Sequence, residues 1–469
     1  MGILITVCVL VGFMAFTEAD LCHKCICDNE HLDCSFIALE DHFNDSDWAG
    51  STHTIISFDH NNIIHLKAFP KLPVTKLSIT HNMIVKIDPA CFKELENLTE
   101  LDLGHNHLTS EQLVPAVFQG HYAPESYEPL RNLRVLKLSA NALHTLDADL
   151  FEHMPQLEHL SLDSNPLRII DRQTMVALTS ISFLKELDLS STSLKELPPH
   201  LLHTPRFLEV LNLSSNLFTS PPESLEDSHF LKQLHIDENP IVNITKFPNL
   251  PYLEVLSMSW MPDLVEIGPE AMNDLVSLQE FYCSHNPKLE KINATAFSKS
   301  AVSSPGGQTW PPIKKITLNN NNLGFLDFEL LGHWDRLDTV DIQNNPWVCE
   351  CHNQWLVSTL VPMMEKLNST QHMVAGIVCH WPEQMRGQSV AELDHRSYHM
   401  RCLDAYDHHP EKDGTLLIGI LIGVILAVPL TALVFISYRR HLRTTAAQYH
   451  RAFYKRGDSL HEFVANPNP

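Results

Sequence analysis

Leu98-Thr99-Glu100-Leu101-Asp102-Leu103-Gly104-His105-Asn106-His107-Leu108 carries the pattern L-x-x-L-x-L-x-x-N-x-L, and it returns from Leu133 to Leu143 and from Leu157 to Leu167. The Leu-x-Leu core reads as a short strand whose alternate side chains point to one side. The later apolar positions bring the chain back over the same core. Asn106, Asn141 and Asn165 fall where the chain bends, where a side-chain amide can satisfy backbone groups that lack a strand partner. Twelve copies align in register, starting at His53, Val74, Leu98, Leu133, Leu157, Leu184, Leu208, Leu231, Leu253, Leu278, Ile313 and Leu337. Ten carry the turn Asn; Thr192 and Met261 replace it in the others. Thr can still hydrogen-bond there. Met cannot, so the Trp260-Met261-Pro262 turn must satisfy its backbone differently.

One such unit cannot bury its apolar face alone, so neighbours stack into a single continuous core. The spacing fits the leucine-rich repeat. It predicts an α/β solenoid, a horseshoe with a parallel sheet on its concave side, and overrides the several globular domains that 469 residues would otherwise suggest. Two intervals of the array are overlong. The first excess, between Ser110 and Leu130, holds Phe118, Tyr122 and Tyr127; the second, between Lys299 and Pro312, ends near Trp310. Long excursions from a rigid scaffold often carry binding residues, so these four aromatics are candidate partner contacts.

Charge narrows the partners. The net charge of −23 argues against nucleic acid, and it is unevenly placed: the segment after Ile436 is basic, so an acidic body joins a basic tail. The exposed strand positions of repeats three to eight mix both signs with an acidic excess, which suits a basic or mixed protein partner.

Residues 1–19 read as a signal peptide, with an apolar run from Ile3 to Phe16 and small residues at Thr17 and Ala19; the run is too short to span comfortably. Residues 20–52 follow with Cys22, Cys25, Cys27 and Cys34. Such close spacing also occurs in zinc sites, but after a leader disulfides are expected. The repeats occupy 53–344. A second cysteine set, Cys349, Cys351, Cys379 and Cys402, marks 345–402. After a linker, 403–414, the uncharged run 415–437 is long enough to span a membrane, and the basic tail 438–469 places the N-terminal body outside. Gly419-x-x-x-Gly423 in the span is a candidate homodimer contact.

This ordered set of leader, cysteine cap, repeats, cysteine cap, single span and short tail resembles the extracellular leucine-rich-repeat type I transmembrane receptors and adhesion proteins. The resemblance implies disulfide-bonded N- and C-terminal caps pairing Cys22 with Cys27, Cys25 with Cys34, Cys349 with Cys379 and Cys351 with Cys402. Cys91 and Cys283 read as buried thiols outside that scheme.

Six Asn-x-Ser/Thr sequons, at Asn44, Asn97, Asn212, Asn243, Asn293 and Asn368, fit a secretory route. Asn212 lies between Leu211 and Leu213, so a glycan there would obstruct the concave face, and unless Asn212 is unoccupied partners are expected to bind near the ends of the array or at the insertions. No hydrolase, zinc-protease, P-loop or dinucleotide motif is present, so no catalytic residue, metal site or cofactor is expected. His60, His81 and His105 each precede a turn Asn and should stack. Such a column could bind metal or sense pH, although the position also tolerates solvated polar residues. The function implied is that of a plasma-membrane receptor or co-receptor holding an extracellular protein ligand or surface co-receptor, or alternatively an adhesion molecule.

Overall fold

The computed structural model describes residues 20–123, 126–300, 307–400, 402 and 411–461. The chain forms two compact units, Met1–Tyr398 and His399–Pro469. Residues 1–19, which the sequence reads as a leader, and 403–410 of the expected linker lie outside the described residues.

The first unit is built on one sheet of fourteen short strands. Twelve are the repeat strands, from Ile55–Ser57 to Thr339–Asp341, parallel and in unbroken register. The other two, Ile26–Cys27 and His31–Asp33, form an antiparallel hairpin whose second strand pairs in parallel with the first repeat. The central residue of each strand points inward: Leu101, Leu136, Leu160, Leu187 and Leu211 stand side by side, each at most 1% exposed. Flanking residues point outward, as the two-residue strand period requires.

Each strand ends because the chain turns into the left-handed region. In all twelve repeats the residue before the turn position has a positive φ, between 49° and 59°, and none of these residues is glycine. A non-glycine residue there costs roughly 1–2 kcal/mol. The buried amide that follows offsets it. Asn141 Nδ2 donates to the carbonyls of Leu138 and of Leu103 in the previous repeat, at 3.1 and 3.0 Å, and its Oδ1 accepts the Leu108 N–H at 3.0 Å. Asn106 Nδ2 also reaches Leu103 O, so each carbonyl is held from two repeats and the amides form a ladder. Thr192 keeps part of this pattern, its hydroxyl donating to Leu189 O at 2.6 Å. At Met261 the next repeat supplies the bond: Asn286 Oδ1 accepts the Met261 N–H at 2.7 Å.

Behind the sheet runs a file of phenylalanines. Phe69, Phe92 and Phe118 stack at centroid distances of 6.2 and 6.0 Å, and Trp48 of the N-terminal cap meets Phe69 at 6.3 Å. The cap therefore continues the core rather than merely covering it. Its sulfurs are bonded Cys22–Cys27 and Cys25–Cys34, at 2.08 and 1.98 Å. At the other end Cys349 is bonded to Cys379, and Cys351 and Cys402 are also disulfide-bonded. Trp347 is fully buried there, its indole donating to Ile342 O at 3.1 Å. Asn353 donates to Gly324 O and Val348 O, both at 2.8 Å, and so caps the last turns. Cys91 and Cys283 are free and fully buried.

Among the described residues the second unit contains one helix, Glu411–His461, whose stretch Leu416–Gln448 is long and apolar enough to cross a membrane. The helix does not stop where the uncharged run stops at Ser437. It continues through Arg439, Arg440 and Arg443, because nothing in that basic segment breaks a helix. At 1.5 Å per residue it is about 75 Å long, more than twice the hydrocarbon core.

Two measurements check this architecture. Asn141→Ala strands the buried Leu108 N–H and leaves the Leu103 and Leu138 carbonyls with one amide each instead of two, and is expected to lower stability by about 2 kcal/mol in urea unfolding of the N-terminal unit. His42 is 3% exposed, stacked on Phe69 at 4.4 Å, with Nε2 donating to Lys67 O at 2.8 Å. Burial pushes its pKa below 6.5. The unfolded chain therefore takes up a proton at His42 that the folded chain resists, and stability falls as pH drops through about 6.5. The melting temperature should decline between pH 7.5 and 5.5, and less so in His42→Gln.

Candidate protein-binding face

The outward side chains of the sheet are fixed by their neighbours one repeat away. Glu100 sits between Lys76 and Lys137, at 3.1 and 3.0 Å, and Glu158 between Arg134 and Lys185, the latter at 2.7 Å. His159 meets Glu186 at 2.8 Å and Lys232 meets Glu209 at 3.0 Å. Lys185, with Arg134, holds the Glu158 carboxyl below the usual range. Burial instead raises the pKa of Asp102, although the Gly104 N–H and Lys137 oppose this. Half-exposed pairs of this kind contribute less than about 1 kcal/mol each to stability. Their effect is to hold charges at fixed places. Between repeats three and six they frame a shallow depression of about 350 Å³ lined by Glu100, Lys137, His159, Ser161, Glu186 and Asp188.

Other carboxylates of the face are turned inward to hydroxyls, which the charge pattern alone does not reveal. Asp163 accepts from Ser139 and Ser161, both at 2.5 Å. Asp237 accepts from Ser257 and from the Ser259 N–H, both at 2.6 Å, and Asp59 accepts from Ser78 at 2.7 Å. Serines beside an aspartate one repeat away are the sequence signal for this device. Asn212 is engaged in the same way: its Nδ2 donates to Asp188 at 3.0 Å and its Oδ1 accepts the Ser214 N–H at 3.1 Å. Asn44, Asn97, Asn243 and Asn368 are exposed, and Asn293 is half-buried with Oδ1 accepting from Thr295.

The aromatic residues singled out in the two insertions have different fates. Phe118 is a correction: it is fully buried at the end of the phenylalanine file and has no surface to offer a partner. The chain reaches it because Pro115–Phe118 forms a 3-10 turn that drops the ring into the core. Tyr122 and Tyr127 face each other in the register of a hairpin, His121–Ala123 with Ser126–Glu128; the Tyr122 side chain lies outside the described residues. Gly120 permits that hairpin, since a Cβ there would lie 2.1 Å from Glu128 O. Tyr127 is exposed, its hydroxyl bonded to His153. Trp310 lies over Gly332, where a Cβ would be 2.5 Å from the ring, and its Nε1 donates to Glu329 O at 3.2 Å. It lines a pocket of about 410 Å³ with Pro312, Lys314, His333 and Arg336.

The imidazoles of His60, His81 and His105 stack at 4.2 and 4.1 Å, and Phe36 of the cap extends the column at 4.3 Å. Partial desolvation of the exposed His81 ring by its stacked neighbours, with the charges of His105 and His60 alongside, lowers its pKa. Among the described residues the one cluster within metal-ligand range is Cys22, Cys27 and His53, and its two sulfurs are bonded to each other.

The leucine rich repeat family model matches residues 73–121, 131–185 and 182–241. The fold is a leucine-rich-repeat solenoid. The chain is 28% identical to CD180 antigen of Mus musculus, over 69% of this chain and 42% of that protein. It is 31% identical to Tsukushi of Mus musculus, over 52% of this chain and 64% of that protein. The matched region thus spans less than two-thirds of either relative. The leucine-rich repeat domain of APL1B superposes with a TM-score of 0.44 at 20% identity, over 66% of this chain and 81% of that one.

The two roles of the insertion aromatics separate by mutation. Phe118→Ala should lower stability by about 3–5 kcal/mol through the cavity it opens. Tyr127→Ala should change it by less than about 1 kcal/mol. Thermal and urea unfolding of the two variants read the contrast.

Proposed function

We propose that this chain is a cell-surface receptor or co-receptor that holds a protein ligand on the polar face of its sheet and acts through partner proteins. The observation that carries this reading is the charge lattice of repeats three to eight, fixed at one-repeat intervals on a scaffold too well packed to rearrange. Pre-placed charges of both signs favour a basic or mixed protein surface and speed its encounter. The leader, the uncharged stretch of the helix and the six basic residues after Ile436 support a single-pass, type I orientation in the plasma membrane.

Within that class the segments Asn345–His352, Trp381–Arg386 and Tyr449–Arg451 resemble trophoblast glycoprotein, a surface regulator of Wnt signalling, so a Wnt-type pathway is the finer form of the proposal. In this reading Asn44, Asn97, Asn243, Asn293 and Asn368 carry glycans. Asn212, whose amide is held by Asp188, does not, and the face stays open. Gly419 and Gly423 lie on one side of the helix and offer a close approach for a second copy. Both charge signs on the same face also suit contact between two copies on apposed cells, which is the adhesion alternative; aggregation of transfected suspension cells, undiminished by deleting the tail, would favour it.

The test is proximity labelling from the N-terminal unit of the full chain on living cells. Wild type should label a discrete set of secreted or surface proteins. Glu186→Lys with Glu209→Lys should reduce the principal label at least ten-fold while surface abundance is unchanged. Equal labelling by both forms would overturn the assignment to this face.

A further inference from the structure

After the Asn turn, repeats eight to ten each form a second short strand: Asn243–Ile244, Glu266–Ile267 and Lys291–Ile292, parallel and in that order. This small sheet stops at Asn243–Ile244 for a chemical reason. In repeat seven the residues at the positions of Asn243 and Ile244 are Ser220 and Pro221, followed by Pro222. A proline has no N–H to give a neighbouring strand, so the sheet does not extend. Asn243–Ile244 is left as an edge, and a groove of about 430 Å³ opens between it and the preceding repeat.

The groove has an apolar floor, for Pro221, Phe247 and Pro248 are buried. Its walls are polar. Glu223 and Glu226 sit three residues apart on the 3-10 turn Glu223–Asp227, where residues i and i+3 eclipse, so both line the groove. Lys246 lines it from repeat eight. Among the described residues Glu223 and Lys246 make no ion pair, and Glu226 accepts the Asn249 N–H at 3.3 Å. Carboxylates and an amine together leave no strong charge to select an ionic ligand. Acceptors, a donor and an apolar floor fit a neutral sugar, which carries hydroxyls around its ring and C–H groups on its faces.

That sugar is attached in place. Asn243 and Thr245 of the sequon Asn243-Ile244-Thr245 flank the buried Ile244, so both point outward, and both line the groove. A glycan on Asn243 starts inside it. The covalent tether supplies a high effective concentration, so weak contacts suffice. The opposite edge of the small sheet is marked in the same way: Lys291–Ile292 runs directly into Asn293 of the sequon Asn293-Ala294-Thr295.

We propose that this groove is the binding site for the first sugars of the glycan on Asn243, and that the docked sugar covers the open edge of the sheet. An uncovered edge presents unpaired backbone groups to other chains and invites edge-to-edge pairing. The inference rests on the reading of Asn243 as glycosylated and adds that its glycan is docked rather than free in solvent.

The test uses the full chain from a secretory host, with occupancy of Asn243 read by mass spectrometry. Acylation of Lys246 by an amine-reactive ester reports the groove. It should be at least ten-fold slower in the glycosylated wild type than in Asn243→Gln. Glu223→Ala with Glu226→Ala should restore most of the rate in the glycosylated chain and change it less than about two-fold in the Asn243→Gln background. Hydrogen exchange of the segment Asn243–Lys246 should follow the same order. An occupied Asn243 with equal acylation in wild type and Asn243→Gln overturns the docked glycan alone. So does slow acylation that survives loss of both carboxylates, since bulk then does the shielding. An unoccupied Asn243 overturns the docking together with the glycan assignment.

Discussion

A buried side-chain amide, repeated down the solenoid, is what the structure depends on. Each three-residue strand must end in a sharp left-handed turn, and that turn strands carbonyls and N–H groups in an apolar interior. Asn106, Asn141 and Asn165 satisfy them in their own repeat and in the one before. A leucine core alone would hold the repeats together without fixing their register, because dispersion and apolar burial have little direction. The amides supply that direction, and they allow turn residues that are not glycine.

Once the register is fixed, the outward positions become a lattice. Charges and hydroxyls recur at one-repeat intervals, so a carboxylate meets a lysine or a serine according to which residues share a column. Asp163 and Asp237 bind serines and stiffen the face, whereas Glu186 and Glu209 remain half-exposed and paired with a histidine and a lysine. The proposed binding surface is therefore a product of alignment between repeats. The same alignment on the rim of the sheet stacks Phe183 on Phe207 and Phe230 on Tyr252.

The caps solve the problem that stacking creates. A solenoid end exposes core and strand edge. The N-terminal hairpin pairs with the first repeat strand while Trp48 joins the phenylalanine file and Phe36 joins the histidine column. The C-terminal cap closes the other end with Trp347 and Asn353, and bonded cysteines hold both caps where a small core would not.

The sequence by itself determined the repeat, its count and the inward residues, because a fixed period of leucines is a local signal and each repeat meets only its neighbours. The stacking of His60, His81 and His105 was legible for the same reason. Only the tertiary structure decided what the irregular segments do. Phe118, in an overlong interval with no period to read, proved to be core, and Tyr127 stayed at the surface. The ends of the apolar run did not mark the ends of the helix, since charge stops a membrane span but not a helix. Which carboxylates are free, and which aromatics share a rim, depend on distances across repeats, and no local pattern encodes them.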